Sequence, residues 1–178
     1  MRKQEIIDLL IEKYAEFNSF INELNANEFA YSYQQKWAAG QHLAHLVLCI
    51  KPLAHVFTME KLTIQQKFGL ANAPGRSYEV LMQLYQEKLE KGGKAPDRFV
   101  PEMIMPEQRT VLSETLTALV HALCSKIDTF TEKELDTLSI PHPLLGKLSM
   151  REMLYNTIYH AEHHRQLASQ SLNHMVKE

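Results

Sequence analysis

The sequence has few cysteines, little net charge and no long apolar run. Its two cysteines, Cys49 and Cys124, lie in apolar helical patterns, which favours two buried reduced thiols over a disulfide or a redox pair. The net charge of −2 provides no basic field, so we expect no nucleic-acid partner. No apolar stretch approaches the roughly 20 residues that span a bilayer, and the first residues are unlike a secretory signal. We therefore expect a cytoplasmic protein that does not associate with membranes.

The composition is that of an ordinary globular protein. Apolar residues make up 45% of the 178 residues and charged residues 22%, which is enough for a single domain spanning residues 1–178. Apolar side chains recur at steps of three and four, a spacing that predicts amphipathic helices. The first helix is marked by Ile7, Leu10, Tyr14, Phe17, Ile21 and Leu24.

A second helix is predicted from Trp37 to about Lys67. Proline lacks the amide that would bond one turn back, so we expect a kink at Pro52. After a turn, Ser77 can cap a shorter helix that ends near Gly92.

The remaining helices are delimited by capping motifs. The apolar pattern over residues 112–130 predicts another long helix. Capping boxes at residues 131–134 and 149–152 start a short helix and the last helix, which runs to about Asn173. Four long helices and no strand predict an all-α fold, an antiparallel four-helix bundle with a short extra helix.

A long irregular connection is predicted at residues 94–106, which contain three prolines and no helical period. We interpret it as a segment packed against the bundle rather than a functional lid. Its apolar side chains are Phe99, Val100, Met103, Ile104 and Met105.

Nine histidines stand out, and two of them have the spacing of a chelating pair. His160 and His164 lie four residues apart, so on a helix they share one face and can bind one ion together. Both fall on the apolar side of the last helix, whereas His163 is expected nearer solvent with Glu152 and Asn156. Two buried, hydrogen-bonded neutral histidines are the alternative interpretation of the same spacing.

A third donor has to come from a facing helix. His42, His45, His55 and His121 are the candidates, and periodicity does not separate them cleanly. His45 has the most apolar surroundings, whereas His42, nearer the polar start of its helix, is expected to be exposed. No role is assigned to the two others, His142 and His174.

Two segments resemble the DinB-like (DinB/YfiT) superfamily, whose members are described as metalloenzymes. Residues 37–46 (WAAGQHLAHL) resemble its second-helix signature, and residues 160–166 (HAEHHRQ) resemble its last-helix motif. The resemblance implies a four-helix bundle, a divalent ion held by His45, His160 and His164, and a homodimer. Ala38 and the Arg165–Gln166 pair depart from the common pattern, so no role is carried over to Arg165 or Gln166.

The implied site has three histidine ligands for one divalent transition metal ion, nickel or zinc, and thus an open position. We expect a metal-dependent enzyme with a small-molecule substrate, either a hydrolase or a transferase of low-molecular-weight thiols such as bacillithiol or mycothiol. The alternative is a non-catalytic metal-binding or stress-related binding protein. Cys49, one turn beyond His45, is the candidate that would close the site as a fourth ligand, while Glu162 is expected to face away.

Overall fold

The computed structural model describes residues 1–175, which form eight α-helices and one β-hairpin; the end of the predicted 1–178 domain lies outside the described residues. Two 3₁₀ turns, Asp97–Phe99 and Pro106–Gln108, lie between the fifth and sixth helices. In chain order the elements are α1 (Lys3–Glu23), α2 (Ala26–Ala30), α3 (Ala39–Phe57), α4 (Lys61–Phe68), α5 (Tyr78–Glu90), α6 (Arg109–Ile127), α7 (Glu132–Thr137), β1 (Ser139–His142), β2 (Gly146–Ser149) and α8 (Met150–Met175).

Helices α1, α3, α6 and α8 form a four-helix bundle, which confirms the predicted all-α fold. α1 packs between α6 and α8, α3 packs along α6 and also contacts α8, and α5 covers the outer side of α8. Each fully buried aliphatic or aromatic side chain contributes about 1.5–3 kcal/mol to this core. Its largest members include Ile6, Leu10, Phe17, Ile21, Phe29 and Phe57.

Two helix pairs in the bundle are antiparallel. Lys3 at the start of α1 donates to the Asp128 carbonyl just beyond the end of α6, at 3.0 Å. His42 and His45 follow each other along α3, and they contact His164 and His160, which occur in the reverse order along α8. The antiparallel arrangement of α3 and α8 places the helix carrying the third candidate ligand opposite the helix carrying the other two.

The other two helix pairs run in the same direction. Phe57, the last residue of α3, packs against Phe130, just after the end of α6, with ring centroids 5.2 Å apart. Arg151, near the start of α8, donates to the carbonyl of Met1, which precedes α1, at 2.8 Å. Because α3 and α6 point the same way, the chain between them has to return along the whole bundle, and this accounts for the long connection.

The three helix starts predicted from capping residues are confirmed. Glu134 donates its backbone N–H to the Thr131 hydroxyl, and its carboxylate accepts from the Thr131 N–H at 2.7 Å. Ser149 and Glu152 make the same reciprocal pair at the start of α8, at 3.1 and 2.8 Å. The Ser77 hydroxyl caps α5. Each such cap contributes about 1 kcal/mol.

The prediction of one helix from Trp37 to about Lys67 was wrong. α3 continues through Pro52 and ends at Phe57, where the Thr58 hydroxyl donates to the His55 carbonyl at 2.7 Å. A sharp bend of 117° after Phe57 separates α3 from α4. α3 accommodates Pro52 because its ring is on the exposed side, where solvent can satisfy the carbonyl one turn back.

Among the described residues, no single helix is long and apolar enough to cross a membrane. Taken together, α3 and α4 are long and apolar enough, but a bend of 117° separates them.

The prediction that the chain has no strand was also wrong. β1 and β2 pair antiparallel, with Ser139 opposite Ser149 and Ile140 opposite Leu148. Ile140 and Leu148 are buried, while the turn is closed by Gly146 at a φ of 73°. Each strand has four residues, which is too short for an alternating pattern to stand out in the sequence.

The connection over residues 94–106 packs against the bundle in part. Phe99 and Ile104 are half-buried, as expected, but Val100, Met103 and Met105 are exposed. The segment also contacts the buried His45 through the Phe99 carbonyl.

Glu152 is buried, contrary to the expectation that its side of α8 lies near solvent, and Asn156 is buried with it. The Oε1 atom of Glu152 accepts from the Arg76 backbone N–H at 3.0 Å and from the Arg76 guanidinium at 2.6 Å. Its Oε2 accepts from the Ser149 N–H. Burial raises the pKa of Glu152, but these hydrogen bonds outweigh it and hold the pKa below 4.5.

We expect Glu152→Ala to lower the free energy of unfolding at pH 7 by about 2–3 kcal/mol, because it leaves buried donors without their charged acceptor. Urea denaturation measures this difference. The control is Glu114→Ala, which changes an exposed carboxylate on α6 and should stay within about 0.5 kcal/mol of the parent.

The same comparison has a defined pH dependence. The folded pKa of Glu152 lies below the unfolded value, so its ionic contribution is present above 4.5 and is lost as the pH falls through the folded pKa. The difference between parent and Glu152→Ala should therefore narrow below pH 4.5. A difference that is the same at pH 7 and in acid would contradict this account.

Candidate metal centre

Three histidine side chains from two antiparallel helices meet inside the bundle. His160 and His164 lie one turn apart on α8, and His45 faces them from α3. The Nε2 atom of His160 lies 3.2 Å from Nε2 of His45 and 2.9 Å from Nε2 of His164. All three side chains are buried. The structure thus brings together the three residues that the family resemblance implies as ligands.

The spacing of these nitrogens suits a transition-metal ion. Zinc–imidazole bonds of about 2.0–2.1 Å at tetrahedral angles place two ligand nitrogens about 3.3 Å apart, within a few tenths of an ångström of the two measured separations. In the described part of the chain, this is the one group of three or more histidine, cysteine or acidic side chains with donor atoms within 4.8 Å of one another. The residues present therefore fit a divalent ion.

The orientation of His45 is set by a backbone carbonyl. Its Nδ1 lies 2.6 Å from the carbonyl oxygen of Phe99, in the first 3₁₀ turn. A carbonyl oxygen can only accept, so Nδ1 carries the proton of the neutral ring and the lone pair lies on Nε2. That lone pair points towards the other two histidines, as a metal ligand requires.

The outer nitrogen of His164 contacts another histidine. Nδ1 of His164 lies 2.7 Å from Nδ1 of His42. His42 is only 4% exposed, so the expectation that it faces solvent was wrong. The first turn of α3 is covered by α8 and by the Trp37 ring, whose centroid lies 5.7 Å from that of His42. Polar residues at a helix start do not reveal such a cover.

Burial keeps these imidazoles neutral. Desolvation lowers the pKa of His45 and holds the pKa values of His160 and His164 well below 6.5, with the neighbouring histidines adding to the shift. Burial also lowers the pKa of His42 to about 3. Neutral imidazole is the form that binds a metal ion, so at neutral pH the group needs no deprotonation to act as a ligand set.

Cys49 lies beside the group, with its sulfur 3.5 Å from Nε2 of His45. Burial raises its pKa to about 12, so the thiol is protonated at neutral pH. A metal ion binds the thiolate, so coordination by Cys49 would require the loss of this proton. Both cysteines are free, and Cys124 is buried as predicted, whereas Cys49 is only half-buried.

The three histidines lie in the wall of a cavity of about 960 Å³, large enough for a small organic molecule. Much of its wall is apolar or aromatic. Lys36, Lys94 and Arg98 bring positive charge to it, and Asp97 is the one carboxylate among the described residues that line it. The 94–106 connection therefore forms part of this wall, which its interpretation as packing alone did not anticipate.

Glu162 does not point at the group, as expected. Its carboxylate accepts from the Arg165 guanidinium at 2.8 and 2.9 Å and from the Gln166 amide at 2.7 Å. These three residues therefore interact with one another on the outer side of α8.

The other histidines lie outside the group. His55 and His121 are exposed and His163 is half-buried, packed edge-on against Tyr85. His174, to which no role was given, stacks on Tyr33 with ring centroids 4.0 Å apart.

His142, which was also given no role, lines the cavity. Its Nδ1 accepts from the backbone N–H groups of Leu144 and Leu145, both at 3.1 Å, and its Nε2 faces the Asn156 amide. It ties the hairpin to α8. The sequence offered a signal for His42, because His42 and His45 are three residues apart and share a helix face. It offered no such signal for His142.

Comparisons with known proteins agree with this fold. Residues 9–168 match the sequence profile of the DinB superfamily. The fold is similar to that of YfiT from Bacillus subtilis, described as a probable metal-dependent hydrolase with an unusual four-helix bundle topology. The two share 16% sequence identity and a TM-score of 0.64 over 98% of this chain and 87% of that chain. No curated protein sequence matches the chain. Since the profile matches most of its length, the chain belongs to the DinB superfamily.

Proposed function

We propose that this protein is a metal-dependent hydrolase of small molecules, with one divalent ion held by His45, His160 and His164. The observation that carries the proposal is the convergence of three buried Nε2 atoms at 2.9 and 3.2 Å. The description of YfiT as a probable metal-dependent hydrolase supports the reaction class.

Three neutral imidazoles leave a tetrahedral or larger coordination sphere incomplete, as catalytic sites do. A divalent ion bound here would supply Lewis-acid chemistry, polarising a substrate oxygen and activating water near neutral pH. Imidazole donors suit nickel and zinc, and we propose one of these as the native ion.

The chain's own contribution is to orient the ligands and enclose the substrate. The Phe99 carbonyl holds the His45 ring, and the largely apolar cavity wall would surround part of a bound molecule. Glu162 is engaged by Arg165, so it does not serve as a general base.

We expect the protein, purified without an affinity tag, to bind about one nickel or zinc ion per chain. The single tryptophan, Trp37, lies 4.9 Å from the His45 ring, so its fluorescence should be quenched as nickel binds. His45→Ala, His160→Ala and His164→Ala should each lower the metal affinity by at least about 10-fold.

One control comes from each helix. His55→Ala on α3 and His163→Ala on α8 should bind metal like the parent, because neither residue belongs to the three-histidine group. Unchanged metal content in all three ligand variants would show that the site is assigned wrongly.

We expect metal-dependent turnover of simple esters or amides. The chelated protein and His160→Ala should both lose this turnover, while His55→Ala retains it. A parallel assay combines a low-molecular-weight thiol with an electrophile. Turnover in that assay alone would favour a thiol transferase. A metal-loaded protein inactive in both assays would favour the non-catalytic metal-binding or stress-related bundle.

We also propose that the protein is a homodimer. Val100, Met103, Met105 and Val111 expose apolar surface on the connection and at the start of α6, and a second copy could cover them. Light scattering at micromolar concentration should give twice the mass of 20.6 kDa, and Met103→Asp should shift it towards the monomer. A monomer mass for the parent chain would refute the proposal.

A further inference from the structure

His42 occupies an unusual position next to the three converging histidines. It lies on α3, one turn before His45, and its Nδ1 is 2.7 Å from Nδ1 of His164. The donor atoms of the three-histidine group belong to His45, His160 and His164, so His42 stands behind one of them. At 4% exposure it is as buried as the candidate ligands themselves.

Two nitrogens at 2.7 Å have to share one proton, and the direction of that hydrogen bond matters. His164 can offer Nε2 to an ion only if that nitrogen is unprotonated, which places the proton of the neutral ring on Nδ1. Nδ1 then needs an acceptor, and Nδ1 of His42 is within reach. The proton of His42 consequently lies on Nε2.

We propose that His42 is a positioning residue that accepts a hydrogen bond from His164 and thereby aims the Nε2 lone pair of His164 at the ion site, without binding the ion itself. The inference rests on the proposed metal site. It assigns His42 the part that the Phe99 carbonyl has for His45, since each supplies a neutral acceptor for the outer nitrogen of a ligand ring.

The surroundings of His42 suit this role. The Trp37 ring packs edge-on against it, with ring centroids 5.7 Å apart. The His42 ring is therefore packed between Trp37 and His164. Because the acceptors behind His45 and His164 are a carbonyl and an imidazole rather than carboxylates, they fix orientation without adding negative charge.

The proton positions can be read in the metal-free protein. Long-range ¹H–¹⁵N correlation spectra distinguish the two nitrogens of each imidazole. We expect His164 to carry its proton on Nδ1 and His42 on Nε2. A proton on Nδ1 of His42 would overturn the proposal, and this measurement needs no variant.

The functional test uses two substitutions. His42→Leu removes the acceptor and should weaken nickel or zinc binding by about 10- to 100-fold, with one ion still bound per chain at saturation. His42→Asn places an oxygen near the position of Nδ1 and should restore most of the affinity. His55→Leu, at an exposed position of the same helix, should match the parent.

Two further readouts separate positioning from other roles. The visible spectrum of the cobalt-loaded protein should keep its bands in His42→Leu, because the donor set is unchanged, and loss of a ligand band would show that His42 binds the ion. Thermal unfolding of metal-free His42→Leu and His42→Asn shows whether the two variants differ in stability. Equal stability would mean that their difference in metal affinity comes from the lost acceptor. If the parent binds metal and His42→Leu binds it equally well, the inference is wrong while the metal site stands. If the parent binds none, the metal site itself is wrong.

Discussion

Three imidazole nitrogens point at one another inside the bundle, and this convergence constrains the surrounding structure. Neutral rings with facing lone pairs repel unless a cation or a shared proton lies between them. The interior also disfavours protonation of the rings, because burial lowers the pKa of all three. The partner of Nδ1 therefore determines which nitrogen of His45 and of His164 carries the proton. Both partners are neutral: the Phe99 carbonyl for His45 and the His42 imidazole for His164.

The order of the helices explains how these partners come together. α3 and α8 run antiparallel, so a pair three residues apart on α3 faces a pair four residues apart on α8. α3 and α6 run in the same direction, so the chain has to return along the bundle between them. This return segment carries the first 3₁₀ turn, which reaches His45, and several residues of the cavity wall. The bundle order and the candidate site are therefore linked.

Much of the fold could be predicted because it depends on local patterns. The apolar stripe of α1 and the capping boxes of α7 and α8 each lie within one element, and the structure contains them as predicted. The features that escaped prediction depend on contacts between distant elements. His42 has a polar helix start as its sequence context, but Trp37 and α8 cover it. The end of α3 at Phe57 and the four-residue strands depend similarly on what packs against them.

The oxygen that faces His45 belongs to the main chain, and this separates the chemistry at position 99 from the identity of its residue. Any amino acid presents the same carbonyl, so relatives can differ at this position and still orient an equivalent histidine. The path of the chain matters instead, since an inserted or deleted residue shifts the oxygen by up to about 3.8 Å, more than a hydrogen bond tolerates. Selection would therefore act on the length of the connection. Relatives would conserve the number of residues in it rather than the identity of the residue at position 99.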